Sequence, residues 1–187
     1  LTATRNGGDG ELRGFEVFFS KTAQSYVEAA GLPDWLGGVG LRGSATWVDS
    51  EMVIPPVRAL TGTPPTLQVS VPARTVKLPG TSDYVYNLQA TYEKYDLSVR
   101  LAYQVRSAFG QSIGSYAVVG GVTVPDGNGD IFWDKDEELD LSVRYRLNDN
   151  LEWYFDAVNL LDGPGRRYAD TPDKPIEYET FGERYIM

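Results

Sequence analysis

The stretch DGNGDIFWDKDE, residues 126 to 137, sets oxygen ligands at Asp126, Asn128, Asp130, Asp134 and Glu137, the spacing of a calcium-binding loop. Such a loop needs glycine at its sharp turn. Here Ile131 stands at that point, and a β-branched residue resists positive φ. Asp-Gly-Asn-Gly is also ordinary turn chemistry, so a turn without metal is the preferred reading. Tyr116, Trp133 and Tyr168 offer flat faces for stacking on a sugar or an aromatic chelator, and Arg166 and Arg167 could attract an anion. The commoner role for each is a solvated loop or girdle residue. A glycosidase pair is conceivable among the carboxylates, but nothing marks two of them as acid and base of one cleft. No enzymatic activity and no cofactor are expected. The chain has no His and no Cys, which removes His-dependent triads, thiolate metal sites and disulfides.

Lys and Arg total 17 against 26 Asp and Glu, a formal net charge of -9. That balance argues against nucleic acid as a partner, because neutralising phosphates takes clustered cations. No run approaches ~18 consecutive apolar residues, so no membrane-spanning helix is expected. The opening LTATRNGGDG lacks the basic start and apolar run of a signal peptide, and reads as a chain entered midway. FGERYIM stops inside what reads as a strand.

The elements that carry these residues repeat with period two. Phe15, Val17 and Phe19 alternate with Glu16 and Ser20. Val39, Leu41, Ala45 and Trp47 alternate with Arg42, Ser44 and Thr46. Tyr84, Tyr86, Leu88, Ala90 and Tyr92 form one face of the next strand. YDLSVRLAYQVR, residues 95 to 106, is apolar at every odd position. Leu139 to Leu147, Leu151 to Ala157 and a strand near 178 to 187 follow. Tight turns near residue 94 and at 148 to 150 alternate with long links at 51 to 79, 110 to 130 and 162 to 176. Residues 24 to 37 form a longer link on the short-turn side, with one helical turn expected. The pattern predicts an all-β, antiparallel up-and-down meander of about seven strands.

A soluble sandwich or lipocalin-like barrel would also alternate. Three features favour a transmembrane barrel instead. The strands run about 9 to 12 residues, the length a tilted membrane strand needs, where soluble strands average nearer 5 or 6. Aromatic residues collect near strand ends: Tyr92, Tyr95, Tyr145 and Trp153 toward the tight turns, and Phe15, Trp47, Tyr84, Tyr86 and Tyr103 toward the long links. Long loops gather at one end only, as in outer-membrane barrels. About seven strands cannot close such a barrel, so the chain is expected to be part of a wider one, with Leu1 to Arg5 as the tail of an earlier strand.

NGGDGELRGFEV (6–17) resembles a hairpin of the C-terminal half of TonB-dependent outer-membrane receptors. FDAVNLLDGPGRRY (155–168) resembles their penultimate strand and its Asn-Leu-x-Asp exit, carried by Asn159, Leu160 and Asp162. FGERYIM resembles the start of their final strand, without its terminal aromatic. The resemblance covers nearly all of residues 1–187 and implies a barrel of about 22 strands, occluded by an N-terminal plug. It further implies localisation in the bacterial outer membrane and contact with outer-membrane lipid. It implies uptake of a bulky nutrient (siderophore, cobalamin or oligosaccharide) energised by TonB through an N-terminal segment. Plug and segment are not in this sequence. The alternative is another outer-membrane barrel, a porin or an adhesin, whose loops bind a surface partner.

On that reading Arg42, Arg100, Arg106, Asp140, Arg144, Arg146, Glu152 and Asp156 face a wet lumen. They either contact the plug and line a polar path, or pair with one another, and mutual pairing is the preferred reading. Ligand specificity is expected in the long loops.

Overall fold

Alternating strands predict a two-faced sheet, and that is the architecture of the computed structural model, which describes residues 8–61, 63–64 and 66–187. The proposed earlier strand at Leu1 to Arg5 lies outside the described residues. Seven strands build one antiparallel wall: β1 (Gly10–Thr22), β2 (Val39–Ile54), β3 (Tyr84–Lys94), β4 (Leu97–Arg106), β5 (Asp136–Asn148), β6 (Leu151–Val158) and β7 (Arg184–Ile186). Their order in the wall is their order in sequence, which is the predicted meander. A short segment, Arg74–Val76, adds to the end of β2 at Met52–Ile54.

The register sorts every side chain to one of two faces, since residues paired across strands share a face. One row runs Leu41, Ala90, Leu101, Leu141 and Ala157 through β2 to β6. The row beside it toward the tight turns runs Val39, Tyr92, Val99, Val143 and Phe155. The opposite face pairs Arg42 with Gln89, Thr91 with Arg100, and Ser142 with Asp156. Among the described residues no large side chain is fully buried, while Phe15, Val17, Leu88, Leu101, Tyr145 and Trp153 stand exposed. Apolar area on this scale is not left in water by a folded monomer, and lipid is the solvent that satisfies it.

Aromatic residues cap both ends of the apolar face. Toward the long loops, Phe15 stacks on Trp47 at 4.8 Å, Trp47 meets Tyr86 edge-on at 5.2 Å, and Tyr86 stacks on Tyr84 at 4.9 Å. Tyr103 donates its hydroxyl to Glu137 at 3.1 Å near the same end. Toward the turns, Tyr145 pairs with Trp153, whose ring lies 6.3 Å from Phe155. Glycine has a positional role at Gly43: the Phe19 ring of β1 lies over it on the apolar face, where a Cβ would sit 2.3 Å from the ring.

Three details depart from expectation. The twelve-residue strand begins at Leu97, because Tyr95 (φ 53°) and Asp96 (φ 61°) form the tight turn, both left-handed as a type I′ hairpin requires. Tyr95 therefore reaches sideways and donates to Asp34 at 2.7 Å, which pushes its phenol up to about 12. Residues 178 to 187 are not one strand: Pro175–Glu179 pairs within the loops, and the chain rejoins the wall only at Arg184–Ile186. The link after β1 holds α1 (Gln24–Ala30) and a 3-10 turn at Asp34–Gly38, more than the single helical turn expected.

Candidate functional site

The β2–β3, β4–β5 and β6–β7 connections leave the same end of the wall, and they fold on one another rather than trailing into solvent. Residues 109–112, 131–133, 165–169 and 175–179 form a four-stranded sheet across the second and third of these loops. Within it Phe132 stacks on Tyr168 at 5.3 Å, and Tyr168 is buried.

One network built on an ion pair ties all three loops. Arg74 of the first loop donates to both carboxylate oxygens of Asp130 in the second, at 2.5 and 2.8 Å. It also donates to the Gly114 carbonyl at 3.1 Å and lies 4.1 Å from the centre of the Tyr116 ring. The Gly114 N–H donates back to Asp130 at 2.8 Å. Tyr116 then donates its hydroxyl to Asp170 of the third loop at 2.6 Å, and the Asp130 N–H donates to the same carboxylate oxygen at 3.1 Å. Burial raises the Asp130 carboxyl, but the Arg74 guanidinium and the Gly114 N–H outweigh it and hold the group below its ordinary value. Burial, followed by the bond to Asp170, pushes the Tyr116 phenol up to about 12.

Of the five loop residues singled out in the sequence, Trp133, Arg166, Arg167 and Tyr168 come together in the loop sheet, and Tyr116 meets Arg74 and Asp170 instead. Arg166 pairs with Asp134 at 2.7 Å. Arg167 pairs with Glu177 and lies 5.5 Å from the Trp133 ring. Its Nε is buried without a partner among the described residues. Trp133 remains half-exposed. The carboxylates of the calcium-like stretch are divided among cations: Asp130 to Arg74, Asp134 to Arg166, and Glu137 to Lys135 at 2.8 Å. Among the described residues no group of carboxylates is placed to hold a metal ion.

The polar face of the wall holds a groove of about 330 Å³ lined by Phe18, Arg42, Asn87, Gln89, Gln104 and Glu138. Arg144 approaches Asp156 at 3.7 Å, and Arg146 approaches Asp96 at 3.9 Å. Arg106 donates to Ser82 and to the Gly80 carbonyl. Asp140 accepts the Asn159 N–H at 3.0 Å. Among the described residues Arg42 and Arg100 have no ion-pair partner. Mutual pairing thus accounts for only part of this row.

A seven-stranded apolar-faced meander with its long loops at one end matches a known architecture. The family model described as TonB dependent receptor-like, beta-barrel, covers residues 1–160. The chain belongs to the TonB-dependent receptors. No curated protein and no solved structure matches it. This is a transport-receptor family of the bacterial outer membrane, not an enzyme family. For such a receptor the apolar rows face lipid and the polar face lines the lumen. The match ends at residue 160, so the third loop and β7 are placed by the pairing of strands alone.

Sequence reasoning missed Arg74, Gly114 and Asp170. Arg74 sits in a Pro-rich link whose composition announces only a loop, and its partner lies 56 residues away. Phe18 was also missed. The Phe18-Phe19 doublet breaks the alternation and puts one ring on the polar face, 68% exposed.

Proposed function

We propose that this TonB-dependent receptor takes up a bulky nutrient (a siderophore, cobalamin or an oligosaccharide) by active transport, with the energy supplied through TonB. The observation that carries this reading is the cross-tied loop platform above a polar lumenal wall. A porin needs an open mouth, whereas a receptor needs a surface held in shape to recognise a ligand before it enters. The contact side is the Trp133–Arg167 edge, where a half-exposed ring lies beside a guanidinium. Arg166, Tyr116 and Tyr168 hold the shape behind it. In the whole receptor the unpaired Arg42 and Arg100 face the plug.

Growth on a panel of iron chelates, cobalamin and oligosaccharides as limiting nutrients tests the reading, using a strain deleted for the receptor and complemented with it. Growth restored on one nutrient and lost again when TonB is inactivated is the expected result. Uptake that survives TonB loss would instead assign a porin.

A further inference from the structure

The link between β1 and β2 lies at the tight-turn end, where a short turn is enough to join strands. It holds α1 and the 3-10 turn at Asp34–Gly38. α1 closes with Gly31 at φ 63°, and Leu32 donates back to the Val27 carbonyl at 3.0 Å, so the chain reverses on a left-handed cap. Only Val27 of the helix is buried, while Tyr26, Leu32 and Trp35 are exposed, Trp35 by 54%.

The side of the wall on which this link rests is fixed by its contacts. A Cβ at Gly38 would meet the Tyr92 ring at 3.0 Å and the Lys94 Cβ at 2.9 Å. Tyr92 pairs with Val99, and Lys94 with Leu97, both on the apolar face. Lys94 donates to the Asp34 carbonyl and carboxylate at 2.6 and 2.7 Å, and Tyr95 donates to the same carboxylate. The link is therefore pinned outside the wall, continuous with the lipid-facing rows rather than tucked under the lumen. Lys21, paired with Leu41 on that face, adds a second cation at this end.

We infer that residues 24–38 are an interfacial anchor, with Tyr26, Leu32 and Trp35 seated at the headgroup boundary of the inner, phospholipid leaflet. Amphipathic aromatic rings favour that depth, and Lys21 extends its ammonium group to anionic headgroups beside them, while Lys94 stays held by Asp34. On α1, Glu28 lies about 200° around the helix from Tyr26 and faces water. The inference rests on the orientation in the outer membrane adopted above.

The test uses the full-length receptor in phosphatidylethanolamine–phosphatidylglycerol vesicles, with a nitroxide on Trp35→Cys, Leu32→Cys, Glu28→Cys or Leu101→Cys. Accessibility to oxygen and to a nickel chelate is read at each. Positions 32 and 35 are expected to favour oxygen several-fold over position 28, as position 101 does. If position 101 is shielded from nickel but 32 and 35 are as wet as 28, the anchor is overturned while the barrel reading stands. If position 101 is itself wet, the orientation fails first. Asp34→Asn, which weakens the hold of Lys94, is expected to raise label mobility at position 35. Unchanged mobility would show that the pinning contact is not what seats the link.

Discussion

Asp130 accepts two of the guanidinium hydrogen bonds of Arg74 across 56 residues of chain, and the side chains keep only 21% and 13% of their exposure. Replacing Arg74 by Ala leaves a part-buried carboxylate with the Gly114 N–H and no cation. A fully buried pair broken in this way costs about 3–5 kcal/mol, and partial exposure reduces that to about 2–3 kcal/mol for opening the loops. Hydrogen exchange at the Gly114 and Asp170 amides reads the change directly. Exchange that is no faster in the variant would show that the pair does not hold the loops.

Tyr116 gives the same platform an alkaline limit. Its phenol titrates near 10 in an unfolded chain and at about 12 in the fold. A raised value means that the neutral form is favoured by folding, so the stabilisation is complete below pH 10 and lost as pH rises from 10 through about 12. The difference in tyrosinate absorbance between the native receptor and Tyr116→Phe is expected to show a phenol ionising near 12. Ionisation near 10 would mean that the ring is free.

Leu101 sits in the middle row of the apolar face, next to Arg100 on the other. In the full barrel Leu101→Arg is expected to cost ~2–4 kcal/mol of folding free energy into bilayers. Arg100→Gln should cost far less, and Val99→Arg an intermediate amount, because Val99 lies in the row of Tyr92 nearer the turns. Equal costs at 100 and 101 would reverse the assignment of faces.

At Gly43 the prediction concerns coupling. A valine there displaces the Phe19 ring toward lipid and costs about 1 kcal/mol, the low end for overpacking, since the ring has room to swing. In a Phe19→Ala background the same change is expected to cost close to nothing, and additive effects in the double variant would show that the two positions do not touch.

How much of the molecule is legible in its sequence follows from where each signal is stored. Strand faces and their order are written locally, because each pleat reverses every residue and neighbours in sequence are neighbours in the wall. Alternation alone assigns the odd-numbered positions from Leu97 to Val105 and from Leu139 to Tyr145 to one face. The turn at Tyr95 and Asp96 is harder to place. A type I′ turn usually announces itself with Asn-Gly, and here the alternation runs straight through it. Residues 175 to 186 mislead for a related reason: two short strands serving different sheets are joined without an apolar break. The clamp is not legible at all, since nothing near Arg74 encodes Asp130 and nothing near Tyr116 encodes Asp170. Ion pairs between loops are a product of the wall that aims them.

The sequential order of β1 to β7 also sets a timetable. Each hairpin needs only its predecessor to pair with, so the wall can grow one hairpin at a time, closing short stretches of chain at each step. The Arg74–Asp130–Asp170 network cannot close on that schedule. It needs the loops after β2, β4 and β6 side by side, and so it completes only when the last of these strands has joined. The cross-tied loop platform therefore takes shape late in this segment, and a chain halted before β6 would present the first two loops without the third.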